Sequence, residues 1–134
     1  MGKRTSQGNV GKAIIGAFAV VLFVKVFILD FMIAEGKSMY PAIRPGTILI
    51  VCRVFYGIRL PGASNYLVMW RRPVEGQVVV FYTPTREIAV KRSVEILDND
   101  FFVALGDNSY QSYDSRDYGP VPFSNIIGRV LGVR

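Results

Sequence analysis

Residues 13–24 form an unbroken apolar run, Ala-Ile-Ile-Gly-Ala-Phe-Ala-Val-Val-Leu-Phe-Val, and after Lys25 the run resumes over residues 26–29. A helix made of this stretch is apolar on every face. That does not suit the skin of a small domain, where one face must meet water. Crossing a hydrocarbon core takes about 20 residues. Residues 10–29 reach that length if Lys12 and Lys25 extend their ammonium groups toward opposite interfaces. A cleaved secretory signal also has a basic start and an apolar middle, but no good small-x-small site follows the run before Ser38. The expectation is an uncleaved, single-pass transmembrane anchor. Lys3, Arg4 and Lys12 precede it, which predicts a cytoplasmic N-terminus and a body lying outside a bacterial-type cytoplasmic (inner) membrane.

Beyond the anchor the texture changes from helical to β. Phe31-Met32-Ile33-Ala34 reads as a strand, Pro45-Gly46 as a turn, and residues 47–54 as a β-branched strand. Residues 77–82 form a second strong strand, Gln-Val-Val-Val-Phe-Tyr. Residues 88–94 form a third, Asp98-Asn99-Asp100 a turn, residues 101–105 a strand, and residues 126–133 a last strand. Residues 106–119 are polar and loop-like. Residues 56–72 mix aromatic, basic and apolar side chains with Pro61-Gly62. Two readings of them stay open: a hairpin packed on the core, or a loop dipping into a membrane interface, where Trp, Tyr and Arg are favoured. At 134 residues the chain holds one compact domain. The expectation is mainly β: residues 1–29 as cytoplasmic lead and anchor, residues 30–134 as one antiparallel β domain.

The residue inventory narrows the chemistry. There is no histidine, which removes Ser-His and Cys-His catalysis and histidine zinc sites together. The lone Cys52 cannot form an internal disulfide and lies in an apolar run, so it reads as a small hydrophobe. The net charge of +6 fits a surface near anionic headgroups. The basic residues are dispersed, which argues against a nucleic-acid partner. No calcium loop is present, because Asp98-Asn99-Asp100 lacks the following glycine.

Directly after the anchor comes Gly36-Lys37-Ser38-Met39-Tyr40-Pro41. A serine hydroxyl is a weak nucleophile until a base takes its proton. A lysine can be that base only when neutral, which requires desolvation or nearby cations, since its ordinary pKa is about 10.4. Lys91 follows the apolar Ile88-Ala89-Val90 and precedes Arg92. On a strand these two cations point to opposite faces. From the local sequence alone, Lys91 reads as an exposed strand lysine. No Ser-x-x-Lys motif or second glycine of a nucleophile elbow occurs around Ser38.

Three segments together resemble type I signal peptidases, the membrane-anchored serine-lysine leader peptidases of family S26. They are Ser38-Met39-Tyr40-Pro41-Ala42-Ile43, Val90-Lys91-Arg92, and the long signature over residues 106–119, Gly-Asp-Asn-Ser-Tyr-Gln-Ser-Tyr-Asp-Ser-Arg-Asp-Tyr-Gly. The weaker segments at residues 45–51 and 75–81 also fit. The resemblance implies a single antiparallel β-sheet, barrel-like catalytic domain. It implies Ser38 as acylated nucleophile, with its backbone N–H as an oxyanion donor, and Lys91 as general base. Ser112 would hydrogen-bond and orient the lysine amine, with Asp114 and Arg116 as a supporting pair. Phe31, Ile33, Ala34, Gly36, Met39, Ile88, Ala89 and Val90 would bind substrate. No metal or other cofactor is implied. The implied partners are the signal peptides of exported preproteins and the lipid bilayer, with the enzyme a monomer.

The chain departs from the family pattern in places. Gly36 stands where some members carry a second oxyanion serine. Thr47 and Gln77 stand where an acidic residue is usual. The short stretch between Lys91 and Gly106 omits the extra β subdomain of larger members. Rival readings are a conjugation or pilin maturation peptidase of the same clan, a self-cleaving serine-lysine repressor, and a catalytically silent membrane-anchored binding module.

Overall fold

The computed structural model describes residues 6–133. Helix α1, Ser6–Phe23, passes into one wider π-helical turn, Val24–Ile28, which ends when the Leu29 N–H bonds the Val24 carbonyl. Within this segment Asn9–Ile28 is long and apolar enough to span a bilayer, with a mean hydropathy of 2.2. At 1.5 Å per residue it covers about 30 Å, the thickness of a hydrocarbon core. None of it is buried against protein. Ile14, Ile15 and Phe18 are all exposed, an arrangement that costs free energy in water and that an apolar solvent relieves. The N-terminal charges Lys3 and Arg4, and the cytoplasmic end they predict, lie outside the described residues.

The chain turns directly from the helix into a seven-stranded antiparallel sheet, in the order β1-β2-β9-β5-β6-β7-β8. Its strands are β1 (Leu29–Ile33), β2 (Ile48–Cys52), β5 (Val78–Tyr82), β6 (Ile88–Leu97), β7 (Phe101–Leu105), β8 (Val121–Pro122) and β9 (Ile126–Val130). A separate ribbon pairs β3 (Gly57–Ile58) with β4 (Val68–Met69). The protein is therefore mainly β, one curled antiparallel sheet behind an apolar helix.

β5 explains the curl. It lies between β9 and β6, and its alternate side chains enter two different cores. Val78 and Val80 join Met39, Ile43, Leu49 and Val130 on one face. Val79 and Phe81 join Tyr56, Phe102, Val121 and Ile126 on the other. A strand buried on both faces must be continuously apolar rather than alternating, as Val-Val-Val-Phe is. Burying each such side chain contributes about 1.5–3 kcal/mol, so β5 anchors both layers.

Residues 56–72 carry the β3–β4 ribbon. Its base packs on the second core through Tyr56, Tyr66 and Met69. The Tyr56 hydroxyl donates to Gln77 Oε1 at 2.7 Å, and the Tyr66 hydroxyl donates to the Ile126 carbonyl at 2.9 Å. The outer face leaves Ile58, Leu67, Val68 and Trp70 exposed. Residues 106–119 are more ordered than a loop. They hold a 3-10 turn (Ser109–Gln111) and a one-turn helix, α2 (Ser115–Tyr118), which Asp114 caps.

Candidate active site

Ser38 sits on the turn that follows β1. The Ala34 N–H bonds the Thr47 carbonyl, and the Gly46 N–H bonds the Ala34 carbonyl, closing the loop at its base. Met39 and Ile43 sink into the first core and are linked by an Ile43 N–H to Met39 carbonyl bond of 2.8 Å. Those two apolar anchors hold Ser38 half-buried at the surface. The Ser38 carbonyl accepts the Asn108 N–H at 2.9 Å. The Ser38 N–H itself has no acceptor among the described residues.

Lys91 lies in β6, paired with Val79 of β5. It is 5% exposed, and the alternation expected at this dipeptide is present. Arg92 faces the other way, where its Nε and Nη2 donate to both Asp107 oxygens at 2.8 and 2.7 Å and its Nη1 donates to the Gly76 carbonyl at 2.8 Å. Burial pulls the Lys91 pKa below its ordinary value. Asp114 acts against that and Arg116 with it. A lysine in this setting sheds its proton at a lower pH than one in water.

Gly106 brings the segments together. On β7 the last paired residue, Leu105, faces Arg92, so Gly106 falls beside Lys91 one step on. A Cβ at Gly106 would fall on the Ser112 hydroxyl and within 2.6 Å of the Ser38 carbonyl. Only glycine lets the Ser38 carbonyl and Ser112 close on this position. The sequence carries this in the first residue of the long polar signature, but only the packing gives the reason.

Asp114 organises the rest. It is fully buried and accepts five hydrogen bonds: from the Gly106 N–H (2.9 Å), the Ser112 hydroxyl (2.5 Å), the Arg116 N–H (3.2 Å), and Arg116 Nε (2.9 Å) and Nη2 (2.7 Å). Burial alone would raise this carboxyl. The bonds from Arg116, Gly106 and Ser112 outweigh it and hold the group well below the usual carboxylate range. The Asp114 N–H donates to Asp117 Oδ2, completing a capping box, and Ser115 Oγ accepts the Ala104 N–H at 2.9 Å, tying α2 to β7.

Ser112 was expected to hydrogen-bond the lysine amine. In the structure its hydroxyl proton goes to Asp114, because a buried carboxylate draws the nearest donor. The Lys91 amine donates no hydrogen bond among the described residues. The Ser112 oxygen keeps lone pairs able to accept one. Lys91, Ser112, Asp114 and Arg116 thus form one electrostatic cluster beside the Ser38 turn.

The residues assigned to substrate separate into two groups. Phe31, Ile33 and Ile88 are exposed, at 56%, 67% and 55%, and Gly36 is exposed with φ +75° and open space around it. Ala34, Ala89 and Val90 are half-buried against the cores. Met39 is 4% exposed and serves as a core side chain. Among the described residues β1 pairs only with β2, and residues 88–90 of β6 pair only with β5, since β7 stops opposite Arg92. Two backbone edges are therefore open beside the Ser38 turn. Among the described residues no cluster of three or more His, Cys, Asp or Glu side chains exists to hold a metal ion.

Comparison with known proteins finds a match to the family described as signal peptidase, peptidase S26, over residues 7–96 and 88–133. The chain is 31% identical over 118 residues to a mitochondrial ATP-independent inner membrane protease, subunit 1b, of Arabidopsis thaliana, covering 77% of this chain and 69% of the relative. It is 27% identical over 152 residues to signal peptidase I of Bacillus caldolyticus, covering 85% and 84%. It is 23% identical over 154 residues to thylakoidal processing peptidase 1 of Arabidopsis thaliana, covering 88% of this chain but 45% of the relative.

Proposed function

The chain belongs to the S26 signal peptidase family, and from that premise we propose that it is a membrane-bound serine endopeptidase that removes N-terminal signal peptides from exported preproteins. A single observation carries this reading. The Ser38 carbonyl and Ser112 close on one glycine, Ser112 and Arg116 both bond Asp114, and the buried Lys91 feels the charges of Asp114 and Arg116. A surface salt bridge or an exposed strand lysine would not need that convergence.

The mechanism follows from the groups present. A neutral Lys91 takes the proton of Ser38 Oγ as it attacks the scissile carbonyl. The free Ser38 N–H donates to the developing oxyanion, a contribution of about 3 kcal/mol when preorganised. Protonated Lys91 then returns its proton to the leaving amine, and the mature protein departs. Water, deprotonated by the same amine, hydrolyses the acyl-Ser38 ester. Ser112 accepts a hydrogen bond from the amine and aims its lone pair, while Asp114 and Arg116 fix Ser112. The substrate lies extended between the open edges of β1 and residues 88–90, adding main-chain hydrogen bonds.

The apolar span Asn9–Ile28 supports a membrane anchor. A cytoplasmic N-terminus and a catalytic domain outside a bacterial-type cytoplasmic membrane follow from the charge order. The test is cleavage, in detergent, of a peptide with alanines before the scissile bond, by the wild type and by Ser38→Ala and Lys91→Ala. Both variants should be inactive, and persistent cleavage in either refutes the dyad.

A further inference from the structure

A cavity of about 350 Å³ lies at the foot of the membrane helix, and the catalytic reading leaves it without a role. Val26 and Phe27, in the last turn of the apolar span, form one wall. Arg53, Arg59 and Arg86 reach it from three different segments, and no Asp or Glu lines it.

The three arginines are held differently. Arg59 is locked: Nε donates to the Ala63 carbonyl at 2.7 Å, Nη1 donates to the Ser124 and Ile126 carbonyls at 3.1 and 3.2 Å, and the guanidinium lies 5.4 Å from the centre of the Tyr82 ring. Its Nη2 stays uncommitted among the described residues. Arg53 donates to the Val26 carbonyl at 3.0 Å and lies 3.6 Å from Asp30, outside the lining. Arg86 sits in the β5–β6 turn at φ 67°, and its side chain makes no hydrogen bond or ion pair among the described residues. Three guanidinium groups line the cavity, while the nearby carboxylates, Asp30 beside Arg53 and Glu87 next to Arg86 and bonded to Thr85, lie outside the lining, which leaves the cavity positive. Such a concentration of like charge costs stability unless an anion occupies it.

We propose that this cavity binds the phosphate of an anionic phospholipid headgroup. Planar guanidinium forks suit phosphate oxygens, and a fork already fixed by backbone carbonyls, as at Arg59, loses little entropy on binding. The location selects a lipid over a free phosphate. With Asn9–Ile28 in the hydrocarbon, Val26 and Phe27 set the cavity at the level of the outer headgroups, where they can meet the first acyl carbons. One bound headgroup would then fix the height and rotation of the β domain relative to the bilayer, and with it the open strand edges. This inference rests on the membrane-anchor part of the proposed function.

The test uses the full-length protein carrying Ser38→Ala, in a non-ionic detergent, so that turnover plays no part. Probes are dihexanoyl-phosphatidylglycerol and dihexanoyl-phosphatidylcholine below their micellar concentrations, and glycerol 3-phosphate, each titrated by calorimetry. Phosphatidylglycerol should bind saturably and at least about tenfold more tightly than either other probe. Arg86→Gly, which suits the left-handed turn, should weaken it about tenfold or more, and Arg86→Lys should weaken it less. Arg44→Gln, an equal loss of charge at an exposed site elsewhere, should leave it unchanged.

Equal binding of the two lipids, or no effect of Arg86→Gly, overturns the proposal. Glycerol 3-phosphate binding as tightly as phosphatidylglycerol overturns the lipid source and leaves a soluble-phosphate site. If Arg86→Gly also unfolds the protein, seen as a lost melting transition, Arg86→Lys decides. Alkaline carbonate extraction of the vesicle-reconstituted protein tests the anchor separately. Release would refute the anchor, whereas retention without lipid selectivity would refute the cavity site alone.

Discussion

Replacing Gly106 with alanine adds one methyl group where three chain segments meet. Its Cβ would stand 2.6 Å from the Ser38 carbonyl oxygen and 2.6 Å from Ser112 Cβ. Ordinary contact begins near 3.4 Å, so the surroundings must retreat by roughly 0.8 Å. The Ser112 hydroxyl can rotate away only by leaving Asp114. The Ser38 carbonyl is backbone and can move only by stretching its bond from the Asn108 N–H. Overpacking of this kind costs about 1–3 kcal/mol, which at this chain length lowers Tm by roughly 3–12 °C. The effect on rate should be larger than the effect on stability. A displacement near 1 Å in the reacting geometry costs about 100-fold. Peptide cleavage should therefore show kcat/KM of Gly106→Ala reduced about 100-fold, with a folded protein by circular dichroism. An Ala variant within about threefold of wild type in kcat/KM, and with unchanged Tm, would refute the claim that Gly106 sets the approach of the Ser38 turn to Ser112.

Further outcomes follow from the same geometry. Lys91→Met should abolish cleavage while leaving thermal stability equal or higher, because it removes a buried amine whose charged form is disfavoured; a large fall in Tm would contradict this. The rate should rise with pH along an acid limb as Lys91 loses its proton, with an apparent pKa below the ordinary lysine value, whereas a flat limb would exclude lysine as base. Asp114 has a folded-state pKa below its unfolded one, so its contribution is complete above the unfolded value of about 3.9 and is lost as pH falls through the lower folded value. Asp114→Asn should lower Tm at pH 7 by more than at pH 3, and an equal loss at both would refute the buried carboxylate's role. Tyr66→Phe should cost about 1 kcal/mol by removing the shorter of two side-chain hydrogen bonds to the Ile126 carbonyl, read from urea midpoints.

Much of the frame was legible because each element follows one local rule. The strand expected over residues 77–82 is β5, and its unbroken Val-Val-Val-Phe run fills two cores. The split of Lys91 and Arg92 to opposite faces follows from strand alternation alone. The apolar run expected over residues 10–29 forms a helical segment, Asn9–Ile28, long and apolar enough to cross a membrane. What was not legible depends on competition between distant groups. Residues 106–119 look like loop because polar residues dominate, yet Asp114 and Asp117, three apart, form a capping box that starts a helical turn. β8 escaped notice because prolines flank and fill it, and as an edge strand it tolerates them. No local pattern says that the Ser112 proton goes to Asp114, since that depends on the complete burial of the carboxylate. Met39, beside the nucleophile in sequence, was expected at the substrate surface, yet the turn is anchored by burying it.

The central claim is that Ser38 carries the acyl group and that a neutral Lys91 makes this possible. The most direct measurement is acid quenching of the enzyme during turnover of an alanine-containing signal peptide, followed by mass spectrometry of its proteolytic fragments. The account predicts an ester adduct of the N-terminal substrate fragment on Ser38, its formation slowing as pH falls and absent in Lys91→Met. An adduct on any other residue, or undiminished acylation of Ser38 in Lys91→Met, would contradict it.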